Sequence, residues 1–247
     1  MEILTDMRLT RRVRDFFRSS AIRGSLAELS GRLPGAADFY VVGGAIRNLL
    51  MAEIHGRAPA TCDIDIFIGG LPGDFRLLDA LAGLKVKVTD LQGIRWRPEG
   101  SAYGFDLCLI PRFVVIERFR LPPDLEHLMA SIDFNINAVV YGVRKGEVYQ
   151  RGCVEAVKRQ LIDFNGRLIP EPRLMLYRIL LMRYKTGFRV SGPVFDFLKQ
   201  HLDLDTMNWL QKICVAKQGK ARAAAIRREY DGVCTASSYA DWLASIQ

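Results

Sequence analysis

Two aspartates separated by one residue, Asp63 and Asp65, stand in the run Asp63-Ile64-Asp65-Ile66-Phe67-Ile68. The run alternates with period two, which predicts a strand, and both carboxylates then point to one face. Like charges held together are costly unless a cation neutralises them. Hard oxygen ligands of this kind suit Mg²⁺, which is bound through a few carboxylates plus substrate phosphates. A third carboxylate from a neighbouring strand would complete a two-metal site for phosphoryl or nucleotidyl transfer. Asp106 is the candidate, because its flanks, Phe105 and Leu107, are apolar and an acid there is awkward without such a role. Taken alone, such a pair is weak evidence and fits the solvent face of an amphipathic strand better.

A second feature lies about 20 residues upstream of the pair. Phe39-Tyr40-Val41-Val42 reads as a short strand, Gly43-Gly44 follows at once, and Ala45 to Ile54 reads as a helix. Glycines let a backbone approach an anion, and a helix N-terminus favours negative charge. Arg47 lies one turn into that helix and is placed to reach a phosphate. A packing role for the glycine pair is the plain alternative. Strand, glycine pair and helix, followed by an Asp-x-Asp strand, are far more specific together than either is alone.

These groups need a scaffold. Residues 7–33 read as helical, with Leu9, Val13, Phe16 and Phe17 at helical spacing. A helix at 74–83 and short strands near 84–89, 104–110 and 112–117 follow the Asp-x-Asp strand. Residues 136–143 and 146–149 form a hairpin around Lys145-Gly146. After about residue 165 the pattern turns all-helical, with helices at 174–184, 193–202, 204–217, 219–230 and 236–246. The spacing therefore predicts a mixed part over residues 1–165 and a helical part over 166–247. The chain of 247 residues is ample for a buried core.

Composition narrows the partners. Lys plus Arg number 35 against 27 Asp plus Glu, a net charge of +8. That surplus favours nucleic acid, nucleotide phosphates or an anionic membrane surface as partner, with plain solubility as the simple alternative. Six basic residues and no acid run from Lys212 to Arg228 (Lys212, Lys217, Lys220, Arg222, Arg227, Arg228). Arg95-Trp96-Arg97 sets an aromatic between two arginines, an arrangement that could stack a base. No stretch approaches the ~18 apolar residues of a membrane span. The Arg-rich start contains Glu2, Asp6 and Asp15, which argues for a basic amphipathic helix rather than a transit peptide. Five scattered cysteines, none in a CxxC pair, suggest reduced thiols. Three distant histidines give no zinc pattern. A cytoplasmic location is the expectation.

The run Val42-Gly43-Gly44-Ala45-Ile46-Arg47-Asn48-Leu49-Leu50, followed by Asp63-Ile64-Asp65, resembles the head signature of class II CCA-adding enzymes and bacterial poly(A) polymerases, within the polymerase-β-like nucleotidyltransferase superfamily. Asp133-Phe134-Asn135-Ile136-Asn137-Ala138, and Arg178 followed by Gly187-Phe188, resemble later motifs of that family. The resemblance covers about residues 38–190. It implies an α+β fold: a head with a mixed, antiparallel-rich sheet, then a small all-helical neck. It also implies that Asp63 and Asp65 hold two Mg²⁺ ions and that Asp106 activates the attacking 3′-hydroxyl. Gly43, Gly44 and Arg47 would hold the triphosphate, Asp133 and Asn137 would lie by the ribose, and Arg178 would point to the nucleotide.

The chain departs from the family in several places. Ser131 and Ile132 stand where the family has two arginines. Glu171-Pro172-Arg173-Leu174-Met175 matches a base-reading Glu-Asp-x-x-Arg motif but lacks its Asp and Arg. The pair that would tell C from A is thus missing, and only about 80 residues follow the head. The expected function is addition of nucleoside monophosphate from an NTP to an RNA 3′ end, tRNA or other, with release of pyrophosphate. The alternatives are transfer to a protein or small molecule, and a degenerate homologue that only binds nucleotide or RNA.

Overall fold

The computed structural model describes residues 1–89 and 93–245. Among these, eight strands build one sheet: β1 (Glu2–Ile3), β2 (Asp38–Val42), β3 (Asp63–Gly69), β4 (Val86–Val88), β5 (Ile94–Trp96), β6 (Gly104–Leu109), β7 (Val139–Gly142) and β8 (Glu147–Gln150). Their order is β1-β8-β7-β2-β3-β6-β5-β4. Only the β3–β6 pairing in this sheet is parallel. A second, two-stranded sheet pairs β9 (Leu161–Ile162) with β10 (Arg189–Val190) in parallel. The fold is α+β and its main sheet is mostly antiparallel.

Alternation along the central strands decides what each sheet face carries. Ile64, Ile66 and Ile68 of β3, with Phe105 and Leu107 of β6, are buried in the main core. That core is covered by α1 (Met7–Arg18), α2 (Ser20–Arg32) and α3 (Gly44–His55), which contribute Val13, Leu29 and Leu50. The residues between them face the other way. There Val42, Val140 and Tyr149 pack in a smaller cluster, after the one-turn α4 (Leu77–Ala80), with α5 (Val114–Phe119) and α6 (Leu125–Ala130), which supply Ile116, Leu128 and Met129. Asp63, Asp65 and Asp106 lie on this second face, at the end of the sheet that the cluster leaves open.

The rest of the chain is α7 (Cys153–Lys158) and then α8 (Pro172–Thr186), α9 (Gly192–Gln200), α10 (Leu204–Gln218), α11 (Lys220–Thr235) and α12 (Tyr239–Ser245). Arg183 of α8 ion-pairs with Glu229 of α11 and lies 4.7 Å over the buried Trp242 ring of α12, holding three helices together. The last residue of the expected 236–246 helix, Ile246, lies outside the described residues. No helix among them is long and apolar enough to cross a membrane.

Several expected elements change. The 7–33 helix is two helices, because Ser19 takes an extended ψ of 150° and caps both. The strand expected at 112–117 is the helix α5. Its β-branched Val114-Val115-Ile116 suggests a strand, but Val115 and Ile116 are buried side by side while Glu117 and Arg118 point outward. The strand expected from 136 begins only at Val139, since Asn135–Asn137 forms a 3-10 turn.

Gly70 closes the turn after β3. Its φ is +75°, and a Cβ there would lie 2.0 Å from the Ala36 carbonyl oxygen. Gly70→Ala therefore meets both a strained backbone and a backbone clash, and should cost at least about 2 kcal/mol in urea unfolding. A cost within experimental error would mean that the 33–37 loop yields freely.

Candidate active site

The β3–β6 pairing builds the site. Asp65 and Asp106 are register partners on adjacent parallel strands, and Asp63 sits two residues before Asp65 on the same face. Asp65 has a side exposed to solvent yet is surrounded by protein. This desolvation, together with the charges of Asp106 and Asp63, pushes its carboxyl up to about 6, with Arg178 and Arg95 opposing the rise.

Two arginines from β5 and its end face these acids. Arg95 pairs in register with Asp106 and donates to both carboxylate oxygens, Nε to Oδ1 at 2.7 Å and a terminal nitrogen to Oδ2 at 2.6 Å. The hydrogen bond to Asp106 raises the guanidinium pKa of Arg95 above its ordinary value. Arg97 lies 3.7 Å from Asp63 Oδ1. Trp96 between them points the opposite way. It is 2% exposed and packs on Phe105 with ring centroids 5.5 Å apart. The expectation of a base-stacking aromatic at Arg95-Trp96-Arg97 is thereby corrected, since the alternation of a strand turns the tryptophan into the core.

The glycine pair lies beside the carboxylates. Val42 at the end of β2 pairs with Asp65, and Gly43 turns the chain into α3 at φ +66°, ψ −109°, a backbone that side-chain-bearing residues avoid. Its N–H donates to the Val139 carbonyl at 2.9 Å. Around Gly44, the nearest atom to a would-be Cβ is an Arg47 nitrogen 3.9 Å away, so the first turn of α3 is open to approach.

Arg47 was expected at the triphosphate. The structure corrects this, because its side chain is buried beneath that turn. It donates to Asn137 Oδ1 at 2.6 Å, to Asn48 Oδ1 at 3.2 and 2.9 Å, and to the Met182 sulfur at 3.2 Å. Burial pulls its pKa down to about 10. Asn137, also buried, donates to Asp133 Oδ1 at 3.1 Å. Asp133 Oδ2 accepts from Arg178 Nε at 2.6 Å. Arg47, Asn137, Asp133 and Arg178 thus form one chain of contacts from α3 to α8. Asn137, expected by a ribose, faces this network rather than the cleft. Arg178 is the most exposed of the four, at 44% of its side chain, and Asp133 raises its pKa. Lys185, one face along α8, has its pKa lowered by burial and then by Arg47.

The basic run from Lys212 to Arg228 brackets the turn between α10 and α11. Lys212, Lys217, Lys220, Arg222 and Arg228 are exposed there, and Arg227 pairs with Asp231 at 2.7 Å.

The donor chemistry of Asp63, Asp65 and Asp106 fits a hard divalent cation. Among the described residues, no three such side chains are gathered as a ready cage, and both Asp106 oxygens accept hydrogen bonds from Arg95. Sequence reasoning missed the role of Arg95 and Arg97, although two arginines flanking one residue of a strand must share a face.

The fold has clear relatives among solved structures. A CCA-adding enzyme solved with CTP superposes with a TM-score of 0.60 at 18% identity, covering 94% of this chain and 54% of that one. Thermotoga maritima CCA-adding enzyme complexed with tRNA-CCA gives 0.53 at 18% identity, with 94% and 55% covered. Bacillus stearothermophilus CCA-adding enzyme in complex with CTP gives 0.53 at 19%, with 83% and 51% covered. The chain spans about half the length of these proteins. No protein-family model and no curated protein sequence matches it. What the comparisons establish is that this chain shares its fold with CCA-adding enzymes, at a sequence distance where the fold alone carries over.

Proposed function

We propose that this chain is a metal-dependent nucleotidyltransferase that adds nucleoside monophosphate from an NTP to an RNA 3′ end. The observation that carries this reading is the register pairing of Asp65 with Asp106 beside the Gly43-Gly44 turn, on the open end of one sheet face. In the reaction the 3′-oxygen bonds to the α-phosphorus, the bond from that phosphorus to the bridging oxygen breaks, and pyrophosphate leaves. Asp63 and Asp65 would hold Mg²⁺, which supplies charge neutralisation at the attacking and leaving oxygens. Asp106 would complete that cation site and take the proton of the 3′-hydroxyl. The open first turn of α3 would receive the triphosphate, since helix N-termini favour anions. Arg178 and Lys185 would add positive charge from the facing helix, and the basic α10–α11 turn would hold the RNA backbone. The solved relatives were captured with CTP, ATP or tRNA, which supports nucleotide and RNA as partners.

A non-catalytic reading has one observation in its favour, the full engagement of Asp106 by Arg95. Incubation with each α-labelled NTP, Mg²⁺ and total RNA separates the two. Transfer of label to RNA 3′ ends is expected, and its loss in Asp63→Ala plus Asp65→Ala. Absence of transfer with all four NTPs would favour the binding-only protein. Label on protein or a small molecule instead of RNA would move the acceptor. Salt should weaken RNA retention steeply, and Lys220→Ala plus Arg222→Ala should flatten that dependence.

A further inference from the structure

We propose that Arg95 is a built-in counter-ion that keeps the third carboxylate, Asp106, closed to a divalent cation until the cation displaces it. The proposal rests on the reading of Asp63, Asp65 and Asp106 as one cation site.

Three observations carry it. First, the contact is a matched fork. Two guanidinium nitrogens meet the two oxygens of one carboxylate at 2.7 and 2.6 Å, leaving neither oxygen uncommitted. Second, the placement is fixed by backbone. Arg95 and Asp106 are register partners on antiparallel β5 and β6, and the buried Trp96 against Phe105 sets which way β5 faces. Arg95 is therefore presented to this carboxylate by the sheet itself. Third, the exposure is uneven. The Arg95 side chain is 50% exposed and that of Asp106 is 25% exposed. The guanidinium reaches in from solvent and can withdraw without opening the core, whereas the carboxylate stays in place.

The electrostatics give a reason for the pairing. Three carboxylates on one face repel one another, and Arg95 and Arg97 relieve that repulsion from the side of β5. A half-exposed ion pair adds little to overall stability, so the effect of Arg95 is felt mainly on what else can bind Asp106. Exchange of a guanidinium for a cation conserves the local charge balance better than entry of a cation beside it. The cation site is accordingly weak in the resting protein and complete only after Arg95 has moved.

Mn²⁺ binding to the full chain without nucleotide, followed by isothermal calorimetry and electron paramagnetic resonance, tests this. Arg95→Gln should bind Mn²⁺ about tenfold more tightly than wild type, the factor expected when a charged hydrogen-bonding competitor is removed. Arg95→Lys keeps the charge but loses the planar fork, and should also tighten binding several-fold. Asp65→Asn should abolish the tight binding in either background. If Mn²⁺ binding depends on Asp65 but Arg95→Gln leaves it unchanged or weaker, the counter-ion proposal is overturned while the cation site stands. If Arg95→Lys matches wild type and only Arg95→Gln tightens, net charge rather than occupation of Asp106 is responsible, and the proposal fails. If no variant binds Mn²⁺ through Asp65, the site reading falls and the proposal with it.

Discussion

Asp65→Asn is expected to abolish nucleotide transfer and at the same time to raise the melting temperature at neutral pH. Asp65 sits between Asp63 on its own strand and Asp106 on the next. Desolvation first, and then the charge of Asp106, lift its carboxyl from 3.8 to about 6. Because the folded value lies above the unfolded one, the native state holds more protons between pH 4 and 6. Stability contributed by the neutral acid is present below about pH 4 and is lost as pH rises through about 6. At pH 8 the ionised group is a net burden on the fold, and Asn, which carries no charge, removes it. The side chain reaches solvent, so screening reduces the gain to about 1 kcal/mol, or roughly 2–4 °C for a chain of this size. Transfer should fall at least about a thousandfold, since several kcal/mol of charge stabilisation depend on this carboxylate. Scanning fluorimetry of both proteins at pH 4 and pH 8 checks the stability half. A melting temperature that drops at pH 8 would show that the carboxylate cluster is not strained.

What sequence makes legible here is the facing of the acids. Alternation in Asp63-Ile64-Asp65-Ile66 is a local signal, and the buried isoleucines fix the facing of both acids without help from the rest of the chain. Asp106 was legible for the same reason, from Phe105 and Leu107 on either side. What the local pattern does not contain is the partner across the sheet. β5 is three residues long, and its pairing with β6 places Arg95 opposite Asp106, a long-range fact that no window of residues 94–97 carries. Arg47 shows the limit from the other side. Its position one turn into α3 suggests a phosphate ligand, but Met182 and Asn137 come from α8 and the 135–137 turn to enclose it. The strand expected at 112–117 failed on composition, since Val114-Val115-Ile116 is β-branched although Pro111 opens a helical turn there. The division at residue 165 falls next to β9, which pairs with β10 beyond it. Asp163 likewise accepts from Ser191 Oγ at 2.7 Å, so the two parts are stitched where composition changes.

The second large effect is expected at Asn137. Asn137→Ala should cost about 2–4 kcal/mol of unfolding free energy, among the larger single-residue losses available to this chain. Arg47 is buried, and among the described residues no carboxylate is in hydrogen-bonding contact with it. Its guanidinium is satisfied by amide oxygens and a sulfur, of which Asn137 Oδ1 at 2.6 Å is the nearest. Even lowered to about 10, its pKa leaves it charged at pH 7. Truncating Asn137 removes that acceptor from a buried cation and a donor from Asp133 Oδ1 in one step. Arg47→Met removes the cation instead. It leaves two amide oxygens short of a donor, but no buried charge, and should cost less than Asn137→Ala. In the double variant the penalty of the stranded charge disappears, so the two costs should fall short of adding by at least about 1 kcal/mol. Urea unfolding of the four proteins measures that coupling. Additive costs would mean that Arg47 and Asn137 act separately and that the contacts from α3 to α8 are not one network. The same cycle bears on activity, because Asp133 orients Arg178 through the oxygen that Asn137 does not use. Asn137→Ala should therefore raise KM for the NTP more than it lowers kcat, through an Arg178 whose partner Asp133 has lost one of the donors that hold it, rather than through any change at Asp63 or Asp65.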